Sequence, residues 1–204
     1  MISIARYCAY LFTALLLISC GKGPQLPPLA STDTVLAFGD SLTFGTGANP
    51  SESYPAQLQL LIGRKVVNAG VPGEISADGL RRLPDAIEES NPKLLVLCHG
   101  GNDFLQKLGE AQAAANVRAM IRLAKDRGIA VVLIATPKPG LSITPPDFYA
   151  EIAKEFAIPF NDGALTSILR DNELKSDFVH PNARGYAQLA QSVAGLIRKA
   201  GAIP

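Results

Sequence analysis

The stretch "TVLAFGDSLTFGTG", residues 34–47, decides how the chain is read. Its apolar run breaks at Gly39, offers Asp40 and Ser41, and then enters a second glycine-broken stretch. This is a strand that ends in a turn. Ser41 can serve such a turn simply as a helix cap, so any chemical role for it has to come from the rest of the chain.

Outward from that strand lie three further apolar runs, Lys65 to Ala69, Lys93 to Cys98 and Ala130 to Ala135, and a weaker fifth at Ile158 to Phe160. They are short, near-continuous and rich in Val, Leu and Ile, as strands covered on both faces should be. Segments of helical period separate them: Tyr54 to Ile62, Ala77 to Glu89, Gln112 to Arg127, Pro146 to Phe156 and Pro181 to Lys199. The alternation predicts an α/β fold with a parallel sheet of about five strands and helices on both sides. Pro84 is expected to kink or restart the second helical segment. Pro181 is expected to open the last helix, where its missing donor costs nothing. In an open parallel sheet, ligands gather beyond the carboxyl ends of the strands.

At 204 residues the chain suits one domain. A net charge of +1, with the adjacent basic pairs Arg64-Lys65, Arg81-Arg82 and Arg198-Lys199 far apart along the chain, carries no footprint of a nucleic-acid binder. Residues 1–19 read as an export signal: Arg6 precedes an apolar run of about a dozen residues, too short to span a bilayer. Leu17-Ile18-Ser19-Cys20 followed by Gly21 resembles a bacterial lipobox, in which Cys20 carries lipid. The expectation is a lipoprotein of the bacterial envelope, facing the periplasm, with the membrane as partner through that anchor. Residues 20–32, proline-rich and without periodicity, then read as a flexible tether, and residues 33–204 as the folded domain. Cys8 leaves with the signal and Cys20 is the anchor. Cys98 is then the domain's lone cysteine, expected to be a buried apolar filler with no disulfide partner.

Four polar motifs stand at strand or loop ends: Gly39-Asp40-Ser41-Leu42, "NAGVPGEIS" at 68–76, Gly100-Gly101-Asn102-Asp103, and Asp177-Phe178-Val179-His180 before the last helix. Each is weak alone. Together they offer what a serine hydrolase needs: a nucleophile, a base, an orienting carboxylate and oxyanion donors. Only two histidines exist, His99 and His180. His180 follows Asp177 by three residues, a spacing that lets a turn bring the carboxylate to one ring nitrogen while the other faces outward. The "HGG" at His99 suggests the oxyanion loop of α/β-hydrolase lipases, but the chain order is reversed and G-x-S-x-G is missing. His99 therefore reads as a structural residue at a strand end, with substrate contact as its alternative.

These four blocks resemble the SGNH hydrolase, or GDSL-type esterase, family, and within it the periplasmic thioesterase I, arylesterase and lysophospholipase group. They span residues 34 to 182. The resemblance implies a flavodoxin-like three-layer α/β/α sandwich and Ser41 as nucleophile. It implies an oxyanion hole from the Ser41 N–H, Gly73 and Asn102, and Asp177 with His180 as the remaining pair. One departure is Pro72-Gly73-Glu74, where a small residue, glycine and aspartate are commoner. In physical terms, Gly73 has no side chain to block its amide, and Asn102 offers a neutral amide donor. Asp40 and Asp103 read as turn and supporting residues, since further negative charge beside an oxyanion would hinder the reaction.

The expected activity is hydrolysis of a small acyl ester or thioester through an acyl-enzyme, with no metal or cofactor, since no cluster has zinc-ligand spacing. Phe104, Leu105, Leu141 and Ile143 are candidates to line an acyl channel, or else ordinary loop packing. Short to medium acyl chains and aryl esters are the expected model substrates. Two alternatives remain: an envelope esterase acting on carbohydrate O-acetyl groups, and a flavodoxin-like binding module that holds phosphate on the first loop.

Overall fold

A computed structural model describes residues 23–140 and 142–204. In chain order its elements are β1 (Thr34–Gly39), α1 (Ser41–Phe44), a 3₁₀ turn (Pro50–Glu52), α2 (Tyr54–Ile62), β2 (Lys65–Gly70), α3 (Ser76–Ser90), β3 (Leu94–Cys98), α4 (Gly101–Leu105), α5 (Glu110–Asp126), β4 (Ala130–Ile134), α6 (Phe148–Glu155), β5 (Phe160–Asn161), α7 (Ala164–Arg170) and α8 (Ala183–Lys199). The five strands are all parallel and run in the order β2-β1-β3-β4-β5. This is the expected flavodoxin-like order, and its direction reverses at β1.

Successive strand residues feed opposite cores, as the period of two requires. Val35 and Ala37 of β1 pack with α2, α7 and α8, whereas Leu36 and Phe38 pack with α3, α5 and α6. Each face is thereby covered by helices, giving three layers. The reversal leaves a crevice between the carboxyl ends of β1 and β3, where the segments after Gly39 and Cys98 begin.

Four expectations are corrected. Helix α3 is continuous from Ser76 to Ser90, so Pro84 does not restart it; Leu83 and Ile87 on either side of it are both buried in the sheet-facing core. Pro181 lies outside α8, bridged antiparallel to Lys175; the cap is Asn182, whose side chain accepts from the Gly185 N–H at 3.1 Å. The fifth strand is shifted to Phe160–Asn161, since Pro159 has no N–H for the ladder and contributes only its carbonyl, to Leu133 at 3.0 Å.

The expected tether is the fourth. From Leu26 onward it is part of the domain: Leu26 and Leu29 are buried in the α8-side core, and their N–H groups donate to Ala200 and Ala202 carbonyls at 2.8 Å. Two apolar anchors on a proline-stiffened segment offset the ordering cost that its composition suggested would prevail. The signal segment and Cys20 lie outside the described residues. Among the described residues, no helix is long and apolar enough to cross a membrane.

Candidate active site

Strand β1 approaches β3 so closely that a side chain at Gly39 would strike the Cys98 carbonyl and the Thr43 hydroxyl. Immediately beyond, the buried Asp40 accepts the Leu42 N–H at 3.0 Å and caps α1, which sets Ser41 in the first helical position. Ser41 Oγ lies 2.9 Å from Nε2 of His180, and Nδ1 of His180 lies 2.8 Å from Oδ2 of Asp177. The other Asp177 oxygen accepts the backbone N–H groups of Val179 and His180, each at 2.8 Å. One carboxylate thus closes the turn and orients the ring.

The electrostatics follow from these contacts. Burial pushes the Asp177 carboxyl up, but hydrogen bonds from the Val179 N–H and from the ring and backbone of His180 outweigh it and hold the carboxyl below its ordinary range. A charged carboxylate at Nδ1 draws the ring proton to that nitrogen. Nε2 is left with a lone pair to accept the Ser41 hydroxyl proton.

Across the crevice, Gly73 has φ +78° with open space where a side chain would stand, and among the described residues neither its N–H nor that of Ser41 meets an acceptor. Asn102, in the first turn of α4, donates through Nδ2 to the Glu74 carbonyl at 2.9 Å. Asp103 is buried and accepts the Ser76 N–H at 2.8 Å and the Ser76 hydroxyl at 2.6 Å, joining α4 to the start of α3. Asp40 is also buried, and that burial raises its carboxyl pKa above the ordinary value. His99 is fully buried against Glu74, so of its two readings the structural one holds. Cys98 is buried as expected, with its thiol 3.8 Å from the Thr136 hydroxyl and its pKa pushed up by burial.

Three comparisons bear on this arrangement. The profile of the GDSL-like lipase/acylhydrolase family matches residues 37–188, most of the chain. The chain belongs to that family. It is similar to esterase TesA of Pseudomonas aeruginosa, 36% identical over 131 residues that cover 62% of this chain and 65% of TesA, just under two thirds of that relative. It is also similar to thioesterase 1/protease 1/lysophospholipase L1 of Escherichia coli K12, 29% identical over 161 residues, 75% of this chain and 77% of the relative. A crystal structure of TesA superposes with a TM-score of 0.73 at 27% identity, covering 82% of this chain and 99% of that one. Family membership makes the chain a hydrolase of the esterase and acylhydrolase class.

In this family member, Ser41, Gly73, Asn102 and His180 all border one cleft of about 260 Å³. Leu105 and Ile143 border it as well. Phe104 does not: it packs beside the second core, its ring 6.3 Å from that of Phe148. Leu141 lies outside the described residues. The motif reading missed Leu42, Leu169, Pro137 and Phe178 in the lining. Phe178 is 90% exposed, and its place between Asp177 and His180, whose hydrogen bonds close the turn, was the available signal.

Proposed function

We propose that the chain is a serine esterase that hydrolyses carboxylic ester or thioester bonds through an acyl-enzyme. The observation that carries this reading is the continuous run of hydrogen bonds from Ser41 through His180 to Asp177 at the wall of an apolar cleft. In the first step His180 Nε2 takes the Ser41 proton as Oγ attacks the acyl carbon, and the imidazolium is stabilised by Asp177. The carbonyl oxygen takes up negative charge facing the N–H groups of Ser41 and Gly73 and the Asn102 amide. The imidazolium then returns its proton to the departing alcohol or thiol, and water repeats the sequence to free the acid.

The apolar cleft favours acyl or aryl groups over an acetylated sugar. Among the described residues its one lysine, Lys138, is tied to Glu110 at 2.7 Å, so no unpaired cation among them marks a phosphate subsite there. Purified protein is expected to hydrolyse p-nitrophenyl acetate, butyrate and octanoate and an acyl thioester. Ser41→Ala is expected to lose at least about 1,000-fold in kcat, with unchanged circular dichroism. A folded Ser41→Ala variant within tenfold of wild type would refute the assignment.

A further inference from the structure

We infer that Glu74 is a positioning residue for the oxyanion donors: its carboxylate pins the loop that carries Gly73, and its carbonyl aims the Asn102 amide. The inference rests on the esterase reading above and adds a residue with no contact to the reacting atoms.

The carboxylate is held by three hydrogen bonds from two residues. Arg82 of α3 grips it with Nε and Nη2, one to each oxygen, both at 2.7 Å. That fork geometry fixes orientation as well as distance. His99, at the end of β3, lies 3.1 Å away through Nε2. The ring's other nitrogen accepts the Gly100 N–H at 2.9 Å, so the proton sits on Nε2 and is donated to Glu74. Arg82 Nη2 also donates to the Ala69 carbonyl at 3.0 Å, on β2, and its guanidinium stands 4.2 Å from the Phe38 ring centroid. The ring of His99 fits only because residue 79 is glycine; a side chain there would collide with it. The loop is therefore fastened to the ends of β2 and β3 and to the face of α3.

Its product is a fixed donor set. Asn102 has two amide protons, and committing one to the Glu74 carbonyl leaves the other in a fixed direction at the cleft. Gly73, next in the chain, has a backbone freedom that no side chain of its own restrains. Donors held in place before charge develops need no reorganisation when it does. Burial pushes the Glu74 carboxyl up, yet the Arg82 and His99 hydrogen bonds overcome it and hold the group at about 2. The anchor therefore stays charged throughout the range in which an imidazole base works.

The test is Glu74→Gln, which keeps length and one acceptor oxygen but removes the charge and puts an NH2 donor where the second oxygen accepted. It is expected to lower kcat on p-nitrophenyl butyrate by about 10 to 100-fold while KM changes less than threefold. Affinity for a boronic acid that forms a tetrahedral adduct should fall by the same factor as kcat/KM. Solvent exchange of the Asn102 side-chain amide should quicken at least tenfold in ¹⁵N-labelled protein. Arg82→Lys, which loses the fork, is a second variant and is expected to lower kcat about 3 to 10-fold in the same pattern. Unchanged kcat in both variants, or a loss in which boronate affinity holds, would overturn the inference. A wild type inactive on every ester would sink the esterase reading instead, while quickened Asn102 exchange would still uphold the anchor.

Discussion

Asn102 commits one amide proton to the Glu74 carbonyl at 2.9 Å, and in the mechanism we propose its worth to the reaction lies in the other. Asn102→Ala should therefore cost about 100 to 1,000-fold in kcat, the range for removing one oxyanion donor, with KM nearly unchanged. A loss under threefold in steady-state kinetics would remove the side chain from that role. Residue identity was readable where chemistry restricts the choice: with two histidines and one Asp-x-x-His turn, the partners of Ser41 were few. It was unreadable where direction matters. Phe104 and Leu105 are neighbours about 100° apart on a helical turn, so one can border the cleft and the other the core. Glu74 looked like a variation in loop shape, because its partners Arg82 and His99 are 8 and 25 residues away.

Elements divide the same way by length. The buried strands were legible because nearly every residue of β1 and β3 is apolar, and α2 has the bounds its period predicted. Helices α1, α4 and α7 span 4, 5 and 7 residues, at most two turns, too little for a period to register. At α8 the proline drew attention from the residue that caps. Asn182 accepts the Gly185 N–H and also donates to the Glu173 carbonyl at 2.9 Å and the Lys175 carbonyl at 3.3 Å, so it ties the helix to the strand-like segment leading to His180. Asn182→Ala should cost about 1–2 kcal/mol in urea unfolding and lower kcat as the His180 turn loosens. Unfolding within about 0.3 kcal/mol of wild type would show that the cap is dispensable.

At the scale of the molecule, the order β2-β1-β3-β4-β5 brings the carboxyl ends of β1 and β3 together at the reversal, and the chemistry follows from that topology. The segment after β1 supplies Ser41, the one after β2 Gly73 and the one after β3 Asn102, while the turn before α8 returns His180 from 139 residues away. Alternating strands and helices made this sheet foreseeable. The seating of Leu26 and Leu29 against the end of α8 was not, since two leucines among prolines carry no period. The central claim is that Ser41 is made nucleophilic by His180. Labelling with a fluorophosphonate followed by peptide mapping tests it most directly: the adduct is expected on Ser41 in the wild type and at least about 100-fold slower in His180→Ala. An adduct on another residue, or labelling of Ser41 at an unchanged rate without the imidazole, would contradict it.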